Sequence, residues 1–105
     1  MERGEIRWHT FKPPDKKRPV LILTRTSAIE FLGEITIAPI TTRIREIASE
    51  IVIDERDGMK NSCAINLDHI QTVAKSKIGA YITRLSDEKM DRIKSALLFA
   101  LGFDY

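Results

Sequence analysis

The sequence predicts an α+β fold that is mainly β: a small, curled, barrel-like sheet with one C-terminal helix. Three observations carry this. Short runs of branched apolar residues, among them Val20-Leu21-Ile22-Leu23 and Ile35-Thr36-Ile37-Ala38, recur along the chain between charged residues and turn formers. Helical periodicity belongs to the last segment, where Met90, Ile93, Leu97, Ala100 and Leu101 form an apolar stripe. At 105 residues the chain has room for one core and not two, so residues 1–105 read as a single domain.

Taken in order, Glu5 to Phe11 forms a first strand, and Lys12-Pro13-Pro14-Asp15-Lys16-Lys17 a loop, because two prolines forbid regular ladder pairing. A second strand begins at Arg18 and runs to Thr24. Residues 25–33 connect it, up to Gly33, to a third strand from Glu34 that leaves the core at Thr41. A polar loop with Arg43 and Arg45 follows. Glu50 to Ile53 is a short strand ending in the turn Asp54-Glu55-Arg56-Asp57-Gly58. From Ser62 to Asp68 the pattern alternates: Cys63, Ile65 and Leu67 should enter the core, while Ser62, Asn66 and Asp68 face solvent. Ile70–Val73 and Ile78–Leu85 complete a mainly antiparallel sheet. Ser86 is a good N-cap for the helix, Asp87 and Glu88 suit its positive end, Leu85 and Met90 suit a hydrophobic staple, and Gly102 suits its stop.

Composition excludes several classes. Hydrophobic residues at 43% and charged residues at 30% describe an ordinary globular protein and not a disordered one. No run reaches the roughly 18 apolar residues of a membrane span. The charged start Met1-Glu2-Arg3-Gly4-Glu5 lacks the apolar core of a signal peptide, so a cytoplasmic location is expected. The single Cys63 forms no intrachain disulfide and supplies too few thiolates for a cysteine zinc site; it reads as a core residue. The net charge of +2 is unevenly spread: residues 1–45 hold nine Lys or Arg against five Asp or Glu, and residues 46–105 eight against ten. The first half therefore favours an anionic partner.

Arg18 and Thr41 stand at strand ends, outside the apolar pattern. A guanidinium and a hydroxyl at the rim of a rigid sheet suit the grip of a phosphate. Lys16 and Lys17 precede the arginine, and Arg43 and Arg45 follow the threonine, as further phosphate contacts. His9 and His69 alternate into positions beside apolar neighbours, which favours packing or hydrogen bonding over catalysis. Their spacing matches no common metal site. Trp8 and Phe11 can stack on bases, although aromatics near an end strand more often fill a core or an interface.

Five fragments in this order, Gly4-Glu5-Ile6, Arg18-Pro19-Val20-Leu21, Ala38-Pro39-Ile40-Thr41, Asn66-Leu67-Asp68 and Arg84-Leu85-Ser86-Asp87-Glu88, resemble the MazF/PemK toxin family over nearly the whole chain. The resemblance implies a type II toxin–antitoxin endoribonuclease that cuts single-stranded RNA at short sequences, as a homodimer and without metal or other cofactor. It implies the SH3-like barrel that this family shares with the CcdB gyrase poisons. It makes Arg18 and Thr41 the catalytic pair and Asn66 and Asp68 candidate catalytic or substrate contacts. It also implies a cognate antitoxin with an acidic disordered segment, and DNA reached only indirectly through the antitoxin complex. The loop over 12–17 is shorter than the family's and lacks its Glu-Gln pair.

Metal-free RNA cleavage uses the neighbouring 2′-hydroxyl and leaves a 2′,3′-cyclic phosphate and a 5′-hydroxyl. A permanently protonated arginine is no general base; Asp68 or a histidine remains for that role. Two other readings share the fold: a CcdB-like gyrase inhibitor and a non-catalytic RNA-binding relative. The ending Gly102-Phe103-Asp104-Tyr105 lacks the Trp-Gly-Ile of the gyrase poisons and argues against the first.

Overall fold

The computed structural model describes residues 1–13 and 16–103. The middle of the expected proline loop (Pro14, Asp15) and the last two residues of the C-terminal tetrapeptide (Asp104, Tyr105) lie outside the described residues. Seven strands and two helices follow in the order β1 (Glu5–Thr10), β2 (Lys17–Ile22), α1 (Thr26–Ile29), β3 (Glu34–Thr41), β4 (Glu50–Ile53), β5 (Cys63–Asn66), β6 (Gln71–Ala74), β7 (Ile78–Arg84) and α2 (Asp87–Leu101). The strand pairs are antiparallel, and the sheet runs β4-β5-β3-β2-β1-β7 with β6 also on β3.

Strand β3 has three partners. On one edge Glu34–Ile37 pair with β6 and Ile40–Thr41 with β5; on the other, Ile37–Pro39 pair with β2. One edge serving two strands splits the sheet lengthwise and gives it a barrel-like curl without full closure. Both faces of β3 are covered, which is why its sequence is nearly continuous in apolar residues. Ile35 and Ile37 join Val20, Ile22 and Ile29 in a smaller cluster, while Ala38 and Ile40 join the main core with Ile6, Leu21, Ile53 and Ile65. Helix α2 closes that core through the buried Ile93 and Ala96.

The helix ends behave as the sequence requires. Ser86 Oγ accepts from the Lys89 N–H at 3.1 Å, and Gly102 takes the left-handed conformation at φ 79°. Leu85 is buried, and Met90 packs half-buried against the same cluster. Two expectations are corrected. Leu101, placed in the apolar stripe, is 51% exposed, because at helical spacing it lies at the edge of the face centred on Ile93, where Ala96 is buried and Ala100 packs against the core. Asn66, assigned to the solvent face of β5, is only 6% exposed. Strand β5 is an interior strand between β3 and β4, and Asn66 lies opposite Glu50. Among the described residues no helix is long and apolar enough to cross a membrane.

The turn after β4 is built around Asp54, whose side chain accepts from the Arg56 N–H while the Asp57 carboxylate accepts from the Asp54 N–H. It ends at Gly58 with φ +93°, where an added Cβ would stand 2.3 Å from Thr83 Oγ1. That hydroxyl donates to the Asp57 carbonyl and ties the turn to β7. Gly58→Ala should therefore destabilise the protein by about 1–3 kcal/mol. Gly33→Ala, whose Cβ meets nothing within 4 Å, should be neutral or stabilise by up to about 1 kcal/mol. Urea unfolding of the two variants beside the parent checks this; equal losses in both would contradict it.

Candidate active site

The β2–β3 register assembles the site. Leu21 lies opposite Ala38 and Val20 opposite Pro39. The ladder ends at Val20 and Pro39; each step back along β2 is a step forward along β3, so the same register, continued two residues, points Arg18 toward Thr41. Alternation puts Arg18 on the face of Val20 and Ile22, and Thr41 on the face of Pro39 and Ile37. Val20 and Leu21 are fully buried, and Thr41 is paired with Ala64 of β5 on its other edge. Arg18 is held by β1 through its pairing with His9, and Thr41 by β5 through Ala64. Thr41 Oγ1 accepts from the Arg43 N–H at 3.1 Å, and its own hydrogen remains available for donation.

Two clefts meet at this pair. The first, about 780 Å³, is lined by Trp8, Lys16, Lys17, Met59 and Tyr81 together with Arg18 and Thr41. The second, about 440 Å³, is lined by Phe11, Arg43, Arg45, Asn66 and His69 together with the same two residues. Arg18 and Thr41 therefore form a wall shared by both, with lysines on one side and arginines on the other.

The remaining sequence-predicted residues divide. Arg43 is exposed at the second cleft. Arg45 lines it too, but its Nε and Nη2 donate to Glu50 Oε2 at 2.8 and 2.6 Å, and its backbone N–H donates to Oε1 at 3.1 Å. The Glu50 side chain is fully buried, so this arginine neutralises it and fixes the loop after β3. Asp68 lines neither cleft; its Oδ2 accepts from Ser49 Oγ at 2.5 Å. Asn66 does reach the second cleft, with Oδ1 accepting the Asp68 N–H at 2.9 Å and Nδ2 facing His69 Nδ1 at 3.3 Å.

The histidines separate. His69, expected beside apolar neighbours, is exposed, because Leu67–His69 form a 3-10 turn that ends the strand alternation. His9 is 5% exposed, edge-on to Phe11 at 4.3 Å between ring centres, and lies opposite Arg18 in the β1–β2 register. Its Nδ1 is buried without a hydrogen-bond partner. Burial, with a smaller contribution from the charge of Lys77, holds the His9 pKa below the usual imidazole value. Tyr81 was not singled out by sequence; it stands exposed at the first cleft with the Arg7 guanidinium 5.9 Å from its ring centre. Its place in an alternating strand, between Ala80 and Ile82, was the available signal. Among the described residues no three His, Cys, Asp or Glu side chains are grouped so as to hold a metal ion.

Comparison with known proteins identifies the family. The family model of the PemK-like, MazF-like toxin of type II toxin–antitoxin systems matches residues 2–101. The chain is similar to the probable endoribonuclease MazF5 of Mycobacterium tuberculosis, 36% identical over 100 residues that cover 94% of this chain and 91% of the relative. It is also similar to endoribonuclease MazF3 of the same organism, 34% identical over 91 residues, covering 87% and 88%. Among solved structures, the Mycobacterium tuberculosis toxin MazF-mt6 superposes with a TM-score of 0.88 at 32% identity, over 96% of this chain and 99% of that one.

The unpaired, buried His9 makes stability depend on pH. Its folded pKa is depressed, so below about pH 6.5 the unfolded chain binds the proton that the folded chain resists. Stability should fall as pH drops from about 7.5 through the imidazole range, and His9→Phe should remove part of that fall. Thermal unfolding of both proteins across this range checks it; an identical pH dependence in His9→Phe would rule His9 out as a source.

Proposed function

This chain belongs to the PemK-like, MazF-like family of type II toxin–antitoxin toxins, and from that premise we propose that it is an endoribonuclease cleaving single-stranded RNA through the neighbouring 2′-hydroxyl. The observation that carries the reading is that Arg18 and Thr41 both line each of two clefts, with basic residues on either side. In the reaction the 2′-hydroxyl gives up its proton and its oxygen bonds to phosphorus as the bond to the 5′-oxygen breaks, and the departing 5′-oxygen takes up a proton. The products are a 2′,3′-cyclic phosphate and a 5′-hydroxyl. DNA lacks the nucleophile.

The transition state gathers negative charge on the non-bridging phosphoryl oxygens. A planar guanidinium meets two of them at once, and a donor already in place contributes about 3–4 kcal/mol to such a step. Arg18 takes that role, and the Thr41 hydroxyl donates to the same phosphate. Lys16, Lys17 and Arg43 attract the flanking backbone. Arg45 acts on this surface indirectly, by holding the loop that carries Arg43. The rigid sheet beneath the pair keeps both donors in position before substrate arrives, which is the condition for electrostatic catalysis without a reorganisation cost.

The working unit in this reading is a homodimer. Phe99, Leu101 and Phe103 stand 49%, 51% and 61% exposed near the end of α2, apolar surface that a second copy would cover. The cognate antitoxin supplies an acidic, disordered segment that competes with RNA for the basic clefts, and the protein acts in the cytoplasm. Purified protein incubated with a long single-stranded RNA in EDTA should cut it and leave cyclic-phosphate and 5′-hydroxyl ends, while single-stranded DNA survives. Arg18→Ala and Thr41→Ala should fold normally and lose about 10²–10³-fold in rate. Arg18→Lys should also be poor, because an ammonium lacks the planar fork. Activity abolished by EDTA and restored by magnesium, 3′-hydroxyl products, or undiminished cleavage by folded Arg18→Ala would each contradict the proposal.

A further inference from the structure

We propose that His69 is an RNA-contacting residue of the second cleft, acting as a neutral imidazole that donates its Nε2–H to a backbone phosphate next to the one held by Arg18 and Thr41. The inference rests on the reading of this cleft as an RNA site. It starts from Asn66. The Oδ1 of that residue accepts the backbone N–H of Asp68 at 2.9 Å, capping the turn Leu67–His69. With the oxygen committed there, the amide nitrogen faces the other way, toward His69 Nδ1 at 3.3 Å. An amide NH₂ only donates, so Nδ1 must accept with its lone pair. A neutral ring with a free lone pair on Nδ1 carries its hydrogen on Nε2. Asn66 is buried, and reversing its amide would strand the Asp68 N–H.

The same geometry excludes the other chemistry open to a histidine here. In this tautomer Nε2 has no lone pair, and the Nδ1 lone pair is taken up by Asn66. The ring is therefore a directional donor and not the base that removes the 2′-hydroxyl proton. Its position is set by the turn that ends β5, the strand whose Ala64 pairs with Thr41. His69 is exposed and lines the second cleft, which it shares with Arg18 and Arg43, but it does not line the first. That one-sided placement puts it beside the shared wall, where the neighbouring phosphate of a strand lying in the second cleft would sit. The charged groups around it are Arg18 from β2, Arg43 and Arg45 from the segment after β3, and Asp68 on its own turn. Glu50 neutralises Arg45, and Ser49 bonds Asp68. Arg43 thus adds exposed positive charge to the cleft, and His69 adds a donor of fixed direction.

The test uses the whole protein and a short, mixed-sequence single-stranded RNA with 2′-O-methyl on every sugar. That probe keeps its phosphates and cannot be cut. Binding is read by fluorescence anisotropy near neutral pH, with circular dichroism checking that each variant is folded. His69→Ala should bind about 3- to 10-fold more weakly, and His69→Gln, whose amide can donate in place of the ring, within about two-fold of the parent. A neutral donor releases no counterion, so His69→Ala should leave the slope of log affinity against log salt unchanged. Arg43→Ala should reduce that slope by about 0.7. Nitrogen-15 NMR of the ring should show Nε2 protonated and Nδ1 bare. Unchanged binding by His69→Ala, a slope lowered as in Arg43→Ala, an Nδ1–H ring, or no binding by the parent would each overturn the inference. If binding depends on His69 as described while the parent leaves natural RNA intact, the cleavage reading fails and this one stands. If RNA is cleaved but binding ignores His69, only this one fails.

Discussion

The site depends on the register of β3. Strand β3 pairs with β2, β5 and β6, so any shift of β3 itself must break three ladders at once. Register in most half-exposed sheets is guarded by polarity, because a one-residue slip turns apolar side chains to water. Both faces of β3 are apolar, so that guard is weak here. Size and simultaneous pairing replace it: Ala38 is fully buried opposite Leu21 in the main core, and Thr41 lies opposite Ala64. With the register fixed, Arg18 and Thr41 meet at the ends of their strands. The chemistry of the site is then a consequence of where two ladders stop.

The segment between β3 and β4 shows how a loop without regular structure can still hold a side chain at a cleft. Glu46 sits at φ 54°, in the left-handed region that a residue with a Cβ enters only at a cost. Glu50, with its side chain fully buried at the start of β4, takes three hydrogen bonds from Arg45. Removing Arg45 would leave the buried Glu50 carboxylate uncompensated, whereas the guanidinium itself is 39% exposed and would lose less from the reverse change. The pair counters the strained backbone beside it and leaves Arg43 displayed at the cleft, next to the Thr41 hydroxyl that accepts its N–H. Two arginines separated by one residue thus do different work, one in the structure and one on its surface.

Much of this was legible in the sequence, and what was not has physical causes. The strands and α2 follow from period and caps, and Arg18 and Thr41 stand out because both are polar at the ends of apolar runs. Alternation placed Asn66 outside because it assumes one solvated face, whereas β5 is an interior strand. Hydrophobicity alone does not mark the centre of a helical face, so Leu101 was placed in the stripe at its edge and Ala96 was passed over. His69 was misplaced by carrying strand alternation into a 3-10 turn. Arg45 was counted with the phosphate contacts because charge in a sequence does not reveal a buried partner such as Glu50, five residues on.

The central claim is that Arg18 and Thr41 act together on one phosphate, and a double-mutant cycle tests it most directly. Single-turnover cleavage of one RNA would be measured for the parent, Arg18→Ala, Thr41→Ala and the double variant. Groups that stabilise the same transition-state charge are strongly non-additive. The account predicts that the double variant is little slower than the slower single variant. A double variant slowed by the full product of the two single effects would show that the residues act independently, and would contradict it.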